Sequence, residues 1–127
     1  MKENRDLYFL RKIAEKTCSS SLSVEIGGQF FVISPILNGV EFLHVPSQER
    51  VGTNSMLILG NFLTDHSTHP LPRTDEQLYF YVVKEMMKLA VSKVIGISKI
   101  DMEMLIGSLA EYHPDDVEKY LNLLKEI

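Results

Sequence analysis

Asp65, His66 and His69 stand together in the segment DHSTHPLPR, and carboxylate and imidazole groups so spaced are donor types that zinc accepts. The chain adds no paired cysteines and no H-E-x-x-H helix, so the competing reading is a solvated polar loop. His44 alternates with Val45 near a strand end and reads as a packed or edge histidine, while His113 precedes Pro114 at a helix start. The single cysteine, Cys18, falls on the apolar side of its helix and reads as a buried thiol before a nucleophile. Ser19-Ser20-Ser21 lacks a G-x-S-x-G setting. Gly27-Gly28 is too short to cradle a phosphate, and no G-x-x-x-x-G-K run occurs. No set of residues assigns an acid, a base and a nucleophile. The expectation is therefore a non-enzymatic chain with no catalytic residues, no metal ligands and no cofactor. The alternative is a small ligand- or metal-binding domain, or an enzyme, that uses the Asp65–Arg73 loop.

Charge narrows the partner classes. The 127 residues carry a formal net charge of −4. Residues 1–73 balance seven basic against seven acidic side chains, whereas residues 74–127 hold six against ten. Nucleic-acid binders need a basic stripe that displaces counterions. The densest basic stretch here, Arg11-Lys12 with Lys16, is the solvated side of a helix, so no nucleic acid is expected as partner. Uninterrupted apolar runs such as Leu78 to Val83 are far below the roughly 20 residues that span a bilayer. Residues Met1 to Asp6 lack a signal peptide's apolar run, and a lone cysteine suits a reducing compartment. A cytoplasmic location without membrane contact is the expectation. The hydrophobic share of 45% with 24% charged residues suits one soluble domain over residues 1–127.

Leu7, Leu10, Ile13, Ala14 and Cys18 recur at helical steps, predicting a helix over Asn4 to Cys18 with Asn4 as cap. Leu22, Val24 and Ile26 then alternate with polar residues as a half-buried strand does. Gly27-Gly28 supplies a two-residue turn, and strand two returns over Gln29 to Ser34. The expected register sets Ile26 against Gln29, Val24 against Phe31 and Leu22 against Ile33. Asn38-Gly39 is the cue for a second hairpin leading into Val40 to Val45. Pro35 lacks the N–H such a hairpin would ask of it, so a bulge or bend is expected there. Ser47 to Asn54 reads as a polar loop. Met56 to Leu59 reads as a buried strand, with a short helix over Ser55 to Leu63 as the alternative.

Thr74 with Gln77 forms a capping box, and the helix it opens runs from Asp75 to about Val91. Ser98 with Asp101 starts another after Gly96, and Pro114 opens a last one bearing Val117, Tyr120, Leu121, Leu124 and Ile127 on one side. The fold class is α+β: an N-terminal helix, a small antiparallel meander of three to four strands, then three C-terminal helices. In layout this order is similar to small dimeric type III secretion chaperones, although those have further strands where residues 98–127 read as helix.

At 100° per residue, the polar positions of the Asp75 helix fill an arc of roughly 100° and its apolar sector is about 220° wide. A helix on one side of a core needs little more than a 100° stripe. Either this chain's own sheet and helices cover the surplus, or Tyr79, Phe80, Val83 and Met87 meet another protein. Phe30 and Val32, with Ile36, Leu43 and Val45, form a second apolar set on the sheet face turned from the first core. The functional expectation is a non-enzymatic protein-binding module, a small acidic adaptor, chaperone or inhibitor acting as a homodimer, whose partner is another protein, a second copy of itself, or both.

Overall fold

The computed structural model describes residues 10–15, 22–37, 39–90, 97–109 and 114–126. Asn4, Leu7, Cys18, Ser19-Ser20-Ser21, Asn38, Gly96 and His113 lie outside them. The architecture is α+β, with an N-terminal helix, a four-stranded antiparallel sheet and then helices. Helix α1, described over residues 10–15, buries Leu10, Ile13 and Ala14. Strands β1 (Leu22–Ile26), β2 (Gln29–Ile36), β3 (Gly39–His44) and β4 (Arg50–Thr53) follow as a meander in sequence order. Helices α2 (Met56–His66), α3 (Asp75–Ala90), α4 (Lys99–Leu109) and α5 (Pro114–Glu126) complete it.

The first hairpin takes the expected register, with Leu22 opposite Ile33, Val24 opposite Phe31 and Ile26 opposite Gln29. Gly27 and Gly28 turn it at φ of +58° and +80°, the left-handed pair that matches strand twist. The second hairpin closes one residue earlier than Asn38-Gly39 suggests, pairing Ile36 with Gly39 and Pro35 with Val40. Residues flanking a two-residue loop exchange hydrogen bonds, and the next pair along does not. Pro35 therefore occupies a position facing β3 where no N–H is asked of it, and β2 continues through it without the anticipated break.

Two further expectations are corrected. The polar loop expected over Ser47 to Asn54 contains β4, which pairs with β3 from Val40–Thr53 to Leu43–Arg50. The strand favoured over Met56 to Leu59 is the start of α2. Ser55 caps that helix, its hydroxyl accepting from the Ile58 N–H at 3.4 Å and its carbonyl from Leu59 at 3.1 Å. Met56, Leu59, Gly60 and Leu63 face the core at helical spacing, while Leu57 and Ile58 face solvent. An apolar run of four thus straddles both sides of a helix, which a strand reading cannot show. The likeness of layout to secretion chaperones loses its apolar strand here, and four helices follow the sheet.

Thr74 caps α3 as expected, its Oγ1 accepting from the Gln77 N–H at 3.2 Å. Ser98 does the same for Asp101 at 3.1 Å. One sheet face carries Leu22, Val24, Ile26, Phe31, Ile33, Val40 and Phe42 into the core shared with the helices. Gly39 marks a close strand approach: a Cβ there would lie 2.5 Å from the Thr53 carbonyl oxygen and 2.9 Å from its carbon. Backbone cannot turn aside as a side chain can. Gly39→Ala is expected to cost about 1–3 kcal/mol through overpacking, measured as a lower urea midpoint at unchanged slope.

Candidate functional site

The helical surplus is largely absorbed internally. Val83 and Met87 are fully buried, as are Val82 and Met86, so neither of the two expected contact residues reaches the surface. Tyr79 and Phe80 are half-buried. Phe80 stacks on Tyr120 of α5 at 6.3 Å between ring centroids, and the Lys119 ammonium stands 4.9 Å above its ring while also reaching Glu76 at 3.4 Å. Helix α5 thus covers Phe80, and α2 also packs against α3.

The sheet face turned from the core is different. Phe30 is 58% exposed and Val45 39%, and the Val45 N–H donates to the Phe30 carbonyl at 3.0 Å, so the two are neighbours across the strands. Val32 opposes Leu43 in the next row, both half-buried. These four side chains form one continuous apolar patch. Glu25 flanks it on β1, and Arg50 flanks it on β4, where Arg50 reaches Glu41 at 3.6 Å. Expected contact residues Phe30 and Val32 therefore lie together on it, apart from Tyr79 and Phe80.

Directly behind the patch sits a polar cluster that sequence reading did not assemble. Inward positions of β3 run Val40, Phe42, His44, and this alternation carries the His44 ring to the core margin at 7% exposure. His66 ends α2 and meets it at 4.7 Å between ring centroids. His66 Nδ1 lies 2.8 Å from the Phe62 carbonyl oxygen and Nε2 lies 2.6 Å from Glu49 Oε2. Both partners are pure acceptors, which favours the form with both ring nitrogens donating, the imidazolium. The Phe62 carbonyl and the Glu49 carboxylate hold its pKa above the ordinary value, and the helix C-terminus favours the same charge.

His44 takes the complementary form. The Gln29 amide nitrogen donates to the Gly28 carbonyl at 3.2 Å, which turns Oε1 toward His44 Nε2 at 2.7 Å. Nε2 therefore donates, and Nδ1 accepts from the Ser47 hydroxyl at 2.7 Å. This is a neutral imidazole, and burial followed by the nearby His66 charge pushes its pKa down. A hydroxyl on an imidazole oriented by a third group is the outline of an activated nucleophile. Here, however, Ser47 Oγ also accepts from the Glu49 N–H at 3.2 Å, which makes it the clasp of the β3–β4 connection.

Comparison with family models, curated proteins and solved structures finds no match.

The Asp65–Arg73 segment is drawn apart by the fold. Asp65 and His66 belong to α2, whereas His69 packs over the first hairpin, its N–H donating to the Gly27 carbonyl at 3.0 Å. Among the described residues no three His, Cys, Asp or Glu side chains are grouped to hold a metal ion. Among the same residues no helix is long and apolar enough to cross a membrane.

Proposed function

We propose that the chain is a non-enzymatic protein-binding module that pairs with a second copy of itself through the outer sheet face. The supporting observation is the contiguous Phe30–Val45–Val32–Leu43 patch, since joined apolar surface marks association where scattered apolar residues do not. Charge placement favours a second copy as occupant. A two-fold axis that runs parallel to the strands through the patch lays the Glu25 edge of one sheet over the Arg50 edge of the other, and that arrangement presents two opposite-charge pairs. No third component is needed to complete the surface. A reducing cytoplasm is the compartment we assign, and proteins rather than nucleic acids are the partners.

Light scattering is expected to return twice the chain mass. Phe30→Glu with Val45→Glu should give a folded monomer, because each change places a carboxylate against apolar surface and the pair weakens association by at least about tenfold. Glu25→Arg alone should weaken the dimer, and adding Arg50→Glu should restore it. A wild-type chain that keeps one chain mass up to about 100 μM overturns the proposal.

A further inference from the structure

The outer patch and the histidine cluster share a backbone. Val45 follows His44 directly and Phe30 follows Gln29, so the two residues clasped on the inner side carry the two most exposed patch residues on the outer side. Residues 45–49 are exposed. Backbone bonds close them, from Val45 N–H to Phe30 O, from His44 N–H to Glu49 O and from Gln48 N–H to His44 O at 2.8 Å, with the Gln48 side chain on Val45 O and Ser47 Oγ on the Glu49 N–H. Two side-chain bonds tie them to the histidines, Ser47 to His44 and Glu49 to His66. Gln48 is moreover held at φ +63°, a left-handed conformation that a side chain resists.

We propose that the His44–His66 pair is an acid-released latch on this connection, which gates the self-association surface. The inference rests on the dimer reading above. The acceptors on both nitrogens of His66 favour its protonated ring. A proton arriving on His44 Nδ1 creates a second cation beside the first. The Ser47 hydroxyl can rotate to accept, so no hydrogen bond is forfeited there. The cost is electrostatic, between two imidazolium rings at the core margin. The charged groups facing the pair are Glu49 on the connection and Asp65 on α2; from β2 only the uncharged Gln29 reaches it. The Glu49 side chain is already engaged by His66 and is 66% exposed, so water weakens its hold. The strain is relieved by releasing the connection, which displaces Val45 from beside Phe30.

The sign follows from the two shifts. His44, lowered, binds its proton more readily when the latch is open, so closure weakens as pH falls below about 6.5. His66, raised, binds its proton more readily when closed, so closure weakens as pH climbs through its elevated pKa. The latch is tightest between the two, above the range where carboxylates titrate.

Hydrogen exchange of the Val45 and Gln48 amides, corrected for intrinsic pH dependence, tests this alongside light scattering between pH 5.5 and 8. Protection is expected to fall by up to about tenfold per pH unit on the acid side, with dimer mass falling in step. His66→Gln removes the first cation and is expected to move the acid midpoint lower. Protection of both amides that stays flat from pH 7 to 5.5 overturns the latch, whatever the oligomeric state. Protection that falls while the dimer persists overturns the gating. A chain that never dimerises yet loses protection keeps the latch and overturns only self-association.

Discussion

Phe31→Ala is expected to destabilise the chain by about 3–5 kcal/mol and to disband the histidine cluster in the same step. Phe31 has no exposed surface, so its removal leaves a cavity that fixed strands cannot close. Its ring stands 6.5 Å from Phe42, 6.1 Å from Phe62 and 5.2 Å from His44. It is thus the wedge between the sheet core and the α2 turn that carries His66. Against a total stability of about 5–15 kcal/mol, that loss is about a fifth at the least and the whole at the most. Urea unfolding measures the loss, and histidine NMR titration reads the site. Without Phe31, His44 gains water, and its pKa is expected to rise back toward the ordinary imidazole value. Phe42→Ala is the control: it opens a cavity of similar size against Phe31 and should cost comparable stability with a smaller change in the His44 titration. Equal movement of His44 in both variants would show that the cluster reports general loosening and does not depend on the Phe31 wedge.

Where local chemistry and global fold agreed, the sequence was readable. Gly27-Gly28 between alternating strands fixed a register that the sheet reproduces pair by pair, because a two-residue loop leaves little freedom. The N-caps at Thr74 and Ser98 mark the starts of α3 and α4 by equally local chemistry. Legibility failed where pairing supplies what composition lacks. Strand β4 holds one apolar residue, Val51, and owes its strand form to the β3 edge beside it. Helix α2 was hidden by Leu57 and Ile58, which are apolar yet exposed, so the buried spacing of Met56, Leu59 and Leu63 was masked.

The candidate site shows the same division. Phe30 and Val32 could be placed on the outer face from strand parity alone. Val83 and Met87 could not be placed in the core, because that depends on which elements of the tertiary fold pack around α3. His44 and His66 come from a strand and a helix that only the tertiary fold brings together. One signal was available: His44 continues the inward alternation of Val40 and Phe42, and His66 follows Phe62 by one helical turn. Both histidines were thereby marked as facing inward, though their meeting was not.

Gly27→Ala is expected to be the costliest single-methyl change in the turns. Gly27 holds φ at +58°, which an L side chain resists by about 1–2 kcal/mol. A Cβ there would also collide with the Ser67 hydroxyl and lie 2.6 Å from Ser67 Cβ, adding about 1–3 kcal/mol of overpacking. Neither side yields readily. The Gly27 carbonyl accepts from the Thr68 N–H at 2.8 Å and from His69 at 3.0 Å, which anchors the hairpin to the 67–69 segment. Ser67 in turn terminates α2, its hydroxyl donating to the Leu63 carbonyl at 2.5 Å. Relief must move either the hairpin or the helix end that bears His66. Thermal or urea unfolding measures the combined loss, expected at about 2–5 kcal/mol. The double variant Gly27→Ala with Ser67→Gly separates the two causes. Removing the Ser67 side chain abolishes the collision and leaves the backbone cost, so the pair should be less destabilised than the two single changes predict together. Additive losses would show that the hairpin and the helix end already shift apart freely, and that the 67–69 segment does not hold the two together.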